Sequence, residues 1–337
     1  MAGTTEPVLD WLLAGDPAIR WQVLRDLTGA PADDVAAERA RVENEGWGAR
    51  LLAVRDPDGQ WDGGACFPRR VADAWRAGIE PHFSDGQPWT STLPTLTLLK
   101  DLGLDPACAS ARETVALVAQ SCRWEHDGQP FFDGEVEACI NGRTLAVGAW
   151  FGAHVEALAC GLLDDQLEDG GWNCWTEHGA TVSSYDSTIC VLEGLLEHEL
   201  AGGGDAVAQA RRRGEEYLLE RHLLRRRSTG EVVAERFLAL SWPPRWHYDV
   251  LRALDHFRAG GGVPDPRLAE AVEVVRDQQQ PDGTWLLEGT HPGETWFDLE
   301  DGDGRPSRWN TLRALRVLAW YDAADPTVPA TADPTGT

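Results

Sequence analysis

A few positions carry the groups that could do chemistry in this sequence. Asp186, in Ser184-Tyr185-Asp186-Ser187-Thr188, opens the apolar run from Ile189 to Leu195, so its carboxylate is expected at the mouth of a helix. The partial positive charge of a helix N-terminus favours an anion, which suits a base, a metal ligand or a plain N-cap better than a strong acid. Glu137-Ala138-Cys139 offers a carboxylate and a thiol, and Trp246-His247-Tyr248-Asp249 offers an imidazole and a second carboxylate. Carboxylate, thiolate and imidazole are the donors an open zinc site uses. The acidic stretch Asp298-Leu299-Glu300-Asp301-Gly302-Asp303 runs into Gly, Arg and Pro rather than into a helix and reads as a solvated loop.

These groups must be positioned by a repeated framework. Placing Thr188 over Thr92, Thr144, Asp249 and Thr311 brings five Leu-rich segments into register, and the segment around Ile19 makes a sixth. A turn recurs between them: Pro57-Asp58-Gly59-Gln60-Trp61, Glu168-Asp169-Gly170-Gly171-Trp172 and Pro281-Asp282-Gly283-Thr284-Trp285, with weaker copies at His126-Asp127-Gly128 and Ser228-Thr229-Gly230. Asp can bond its own backbone, Gly accepts a positive φ, and the tryptophan that follows can fold back to clamp the neighbouring helix ends. Each unit then holds a charged helix before the turn, such as 205–224 or 266–279, and an apolar one after the next loop, such as 246–258. One copy cannot bury its apolar face alone, so the copies must share a core. The expected fold is all-α, a single (α/α)6 toroid of six inner and about six outer helices over residues 1–322. Residues 323–337, rich in Pro, Thr, Asp and Ala, are expected to be a disordered tail.

The D-G-x-W turns, with the Gln-rich approach Gln278-Gln279-Gln280, resemble the repeats of squalene and hopene cyclases and of protein prenyltransferase β subunits. That resemblance implies an α/α toroid and an apolar, isoprenoid-like substrate in its central cavity, undergoing cyclisation, isomerisation or transfer. In the cyclases the acid is the middle residue of an Asp-x-Asp-Asp-Thr motif. Asp186 and Thr188 match it, while Ser184 and Ser187 stand where the flanking carboxylates would be. In the transferases an Asp-x-Cys and a later His hold zinc, which points to Glu137, Cys139 and His247 as metal ligands. Asp186, His247 and Asp249 are then the candidate catalytic residues. Trp89, Trp150, Trp175, Trp246, Trp309 and Tyr248 are the candidate substrate-binding wall, since aromatic faces hold apolar ligands and stabilise cations. The alternative is a non-catalytic toroid that binds a hydrophobic ligand or a protein partner, which the missing flanking acids favour.

Composition excludes several partners. A net charge of -25 repels nucleic acid and anionic membrane surfaces. No apolar run approaches the roughly 18 residues a membrane span needs, and a cytoplasmic protein is expected. Seven cysteines lack C-x-x-C spacing, and most read as reduced and structural. Phosphate-cradling glycine loops, G-x-S-x-G elbows and dinucleotide fingerprints are missing from the sequence.

Overall fold

A computed structural model describes residues 6–81, 83 and 86–324. Its helices are α1 (Glu6–Leu13), α2 (Pro17–Leu27), α3 (Ala32–Ala40), α4 (Gly46–Ala53), α5 (Arg69–Arg76), α6 (Thr92–Leu102), α7 (Ala109–Ser121), α8 (Ala138–Phe151), α9 (Glu156–Asp164), α10 (Tyr185–Leu200), α11 (Asp205–Leu219), α12 (Val250–Gly260), α13 (Ala269–Asp277) and α14 (Arg308–Ala323). Two short antiparallel strands, β1 (Trp285–Leu286) and β2 (Pro306–Ser307), precede α14. The six inner segments expected from the repeats are α2, α6, α8, α10, α12 and α14. Contacts pass from α6 to α8, α10, α12 and α14, and return from α14 to α2. The indole of Trp21 and the amide of Gln22 on α2 close the remaining joint by donating to the carbonyls of Leu102 and Asp101. The ring is therefore closed, with α4, α7, α9, α11 and α13 outside it. None of the helices among the described residues is long and apolar enough to cross a membrane.

The repeated turn builds the ring's joints. In its three strong copies the glycine takes a positive φ of 87°, 98° and 86° at Gly59, Gly170 and Gly283, which a side chain would strain. The tryptophans that follow are fully buried. Each indole N–H donates to the carbonyl ten residues earlier, near the end of an outer helix: Trp61 to Leu51 at 2.8 Å, Trp172 to Leu162 and Trp285 to Val275 at 2.7 Å. Each tryptophan's backbone N–H donates in turn to the aligned threonine of the next inner helix, Thr92, Thr188 or Thr311. One side chain thus satisfies a helix-end carbonyl and sets the start of the following helix.

Inner helices α8 and α10 approach most closely through Gly142 and Gly194, where an added Cβ would lie against the backbone of the opposite helix. Two boundaries depart from what composition alone points to. The charged run 36–54 reads as one helix, but it divides between α3 and α4, because Gly46 with φ 64° cannot continue a helix. The final inner helix also runs through Ala323, so the tail expectation now concerns residues 325–337, which lie outside the described residues.

Candidate functional site

Where the N-termini of α8 and α10 meet, a cavity of about 530 Å³ opens among Phe67, Glu137, Cys139, Ile140, Cys174, Trp175, Asp186 and Trp246. Its polar centre is a trio: one ligand atom each from Glu137, Cys139 and Cys174, all within 4.8 Å of one another. The turn explains the placement. Trp172 is pinned by Leu162 and Thr188, and Cys174, two residues on, is held by its own N–H donating to Ser187 Oγ at 3.1 Å. The Cys174 sulfur then accepts from Ser187 Oγ and from the backbone N–H of Cys139, both at 3.1 Å. The Cys139 thiol donates to Glu137 Oε2 at 3.5 Å. The neighbouring Cys139 side chain, with Ser187 and the Cys139 N–H, lowers the Cys174 pKa against its burial. The same pairing, with burial, raises that of Cys139. Glu137 ends the loop before α8 without capping the helix, so its carboxylate is not spent on the backbone.

The structure corrects the expected ligand set. Glu137 and Cys139 belong to the trio, but His247 does not; its ring is stacked between Trp246 at 3.6 Å and His291 at 3.8 Å. Burial, with Arg236 and Arg252 nearby, pushes the His247 pKa down to about 4, and burial beside His247 pushes His291 down to about 3. Cys174 takes the third position. Sequence reasoning missed it by treating the cysteines as structural, although its place two residues after a D-G-G-W tryptophan was a usable signal.

Asp186 lines the mouth cavity as expected, but it is not the helix cap. Ser184 caps α10 by accepting from Ser187 N, while Asp186 pairs with Arg236 at 2.6 Å and accepts from Tyr248 N at 2.8 Å. Its partners only donate, which suits an acceptor carboxylate better than a proton donor. Asp249 is a buried N-cap of α12, 2 % exposed, accepting from Arg252 N at 2.7 Å and standing outside the mouth cavity. Burial raises its pKa, opposed mainly by Arg313. The structure thus places Asp249 in the framework, capping α12, and not at the mouth cavity beside Asp186.

The aromatic candidates divide three ways. Trp175, 67 % exposed, and Trp246 line the mouth cavity. Trp150, near the C-terminal end of α8, and Trp309 line a second cavity of about 400 Å³, the central hollow bordered by all six inner helices. Tyr248 and Trp89 are packing residues: the Tyr248 hydroxyl donates to Leu223 O within a cluster of Tyr185 and Phe237, and the Trp89 indole donates to Pro292 O. Charged groups as well as aromatic rings line the hollow. Eight cationic side chains and five carboxylates line it, and residues 242–245 form part of its wall, so they separate it from a neighbouring cavity that Trp242, Pro243 and Arg245 also line. Of the acidic stretch, Asp298, Asp301 and Asp303 are exposed as expected, while Glu300 accepts from Ser307 Oγ and from Trp309 N at the start of α14.

No protein-family model matches the chain. Curated leucyl/phenylalanyl-tRNA–protein transferases of Burkholderia pseudomallei and Burkholderia thailandensis are 36% identical over 96 residues, 26% of this chain, and the chain spans 35% of their length. Among solved structures, a protein from Actinoplanes aligns over 91% of this chain and 90% of its own with a TM-score of 0.42 and 18% identity. Type II terpene cyclase MstE from Scytonema aligns over 87% of this chain and 99% of its own, with a TM-score of 0.37 and 17% identity. A variant of that cyclase in complex with geranylgeranyl dihydroxybenzoate aligns over 94% and 99%, with a TM-score of 0.34 and 16% identity. Likenesses this distant carry over neither a reaction nor a ligand.

Proposed function

We propose that the chain is a small-molecule enzyme of the terpenoid cyclase and prenyltransferase kind, acting on an isoprenoid-like substrate at the mouth cavity with a zinc ion held by Glu137, Cys139 and Cys174. The observation that carries this is the convergence of two thiols and a carboxylate on one cavity whose remaining wall includes Phe67, Ile140, Trp175 and Trp246. The donor set fits zinc, which takes soft sulfur ligands and in catalytic sites uses three protein ligands with a fourth position open. Bound there, zinc would supply Lewis-acid chemistry and lower the pKa of a coordinated thiol or water. Ser187 Oγ and the Cys139 N–H support the anionic form of Cys174. Arg236 fixes the Asp186 carboxylate at the same cavity, where it can accept a proton or orient a polar group of the substrate. The aromatic walls would hold the apolar chain and exclude water.

Elemental analysis of the reduced protein tests this reading. The expected result is about one equivalent of zinc, lost in Cys139→Ala and in Cys174→Ala and kept in His247→Ala. Zinc absent from the wild type, or retained in both cysteine variants, sinks it. A panel of prenyl alcohols and prenyl diphosphates, with products read by mass spectrometry, tests the activity. The second reading, a non-catalytic toroid binding a hydrophobic ligand or protein partner, is favoured by the donor-only surroundings of Asp186. It requires that no substrate in the panel be turned over by the zinc-loaded protein.

A further inference from the structure

The central hollow lies beyond Arg143, which lines both it and the mouth cavity. Its eight cations are not equivalent. Six have a carboxylate within 4.0 Å, among them Arg252 with Glu193 at 2.6 Å and Arg316 with Asp255 and Asp26. Arg143 and Arg245 have none among the described residues, and neither donates a hydrogen bond to the protein; the Nε of Arg143 is buried with no partner at all. Both side chains are deeply buried, at 4 % and 9 % exposed. An uncompensated buried charge costs several kcal/mol after relaxation, so a fold that keeps two of them beside one another needs a reason.

The backbone at Arg245 adds a second observation. Its φ of 56° lies in the left-handed region, which a non-glycine residue enters at a cost of about 1–2 kcal/mol. The segment is fixed on both sides, by Trp242 stacked on Trp309 at 4.2 Å and by His247 N donating to Pro244 O. This strained turn delivers the guanidinium into the ring over the face of Trp89, 5.1 Å away. Burial and the charge of Arg143 push its pKa down to about 9, against a smaller pull from Asp101. In a chain of net charge -25, the hollow is thus a local concentration of positive charge with free donors.

We infer that the central hollow is a binding site for an oxyanion, the carboxylate or phosphate group of a small molecule, clamped between the guanidinium groups of Arg143 and Arg245. Planar, forked donors match either group in bidentate fashion, and a volume of about 400 Å³ admits a small metabolite. This site stands whether or not the thiol cluster binds zinc.

The test is calorimetric titration of the 337-residue chain with inorganic phosphate and with benzoate, in low-chloride buffer, alongside thermal melts. One of the two is expected to bind saturably and to raise Tm, with phosphate preferred for a phosphate-bearing ligand and benzoate for a carboxylate-bearing one. Arg143→Gln and Arg245→Gln are each expected to weaken that binding by about tenfold or more. Without ligand, Arg245→Gln is expected to melt no lower than the wild type, because the substitution removes an unpaired buried charge. Arg245→Lys, which keeps the charge and loses the fork, is expected to bind more weakly as well. Failure of both anions to bind the folded wild type, or binding that both glutamine variants retain unchanged, overturns the proposal.

Discussion

His247 shows how a residue of the right type can be placed for the wrong task. Its imidazole and that of His291 are stacked, part-buried and surrounded by Arg236, Arg252, Arg143 and Arg245, so both stay neutral in the folded chain. Their folded pKa values of about 4 and about 3 lie below the ordinary 6.5. Between those limits the unfolded chain binds more protons than the folded one, so stability rises with pH through this window and is lost as pH falls below 6.5. Urea unfolding at pH 7 and pH 5 is expected to show that loss, and His291→Phe is expected to remove a large share of it. An unchanged pH dependence in that variant would assign the acid sensitivity elsewhere. Asp186 is a milder case. Because Arg236 is 48% exposed on its side chain, Asp186→Asn is expected to cost under about 1 kcal/mol of stability. Any loss of turnover much larger than that change implies would belong to the site and not to the fold.

Between the residue and the ring stands the tryptophan clamp. Trp172→Phe keeps most of the buried ring but strands the Leu162 carbonyl, and chemical denaturation is expected to report a loss of about 1–3 kcal/mol. Because the same tryptophan sets the loop to Cys174, that variant is also expected to weaken zinc retention. A clamp that served packing alone would leave the metal unaffected. Gly194 tests the packing of α8 on α10: Gly194→Val pushes a branched side chain into the Gly142 backbone and is expected to destabilise by about 1–3 kcal/mol or more. Of all these elements, the turns were the most legible in the sequence, since Asp, Gly and Trp act through contacts a few residues away. The split at Gly46 was less so, because a charged helix and a broken one share much the same composition.

Closure of the ring depends on charge as well as on apolar packing. Arg316 on α14 reaches Asp255 on α12 and Gln22 and Asp26 on α2, so one guanidinium ties three inner helices across the joint between the chain's two ends. Its carboxylate partner is fully engaged, with the Arg316 and Arg258 charges holding the Asp255 pKa far below the ordinary range against strong desolvation. Asp255→Asn leaves these arginines under-compensated, and equilibrium unfolding is expected to show a loss of roughly 3–5 kcal/mol. A loss below about 1 kcal/mol would mean that water or Asp26 replaces the pair.

The repeated turns, the six inner segments and the all-α ring were set by the sequence itself, because each depends on local spacing: turn chemistry, helical periodicity and a threonine in register with a tryptophan. Tertiary structure alone decided which side chains meet. Helix α8 begins six residues before Thr144, whereas α10 begins three before Thr188, and this extra turn brings Cys139 to the mouth beside Cys174. The same folding stacks His247 away from that trio and carries Arg245 into the hollow beside Arg143. Such meetings join residues far apart along the chain, and their geometry comes from how neighbouring helices and loops pack around the ring, which no local pattern records.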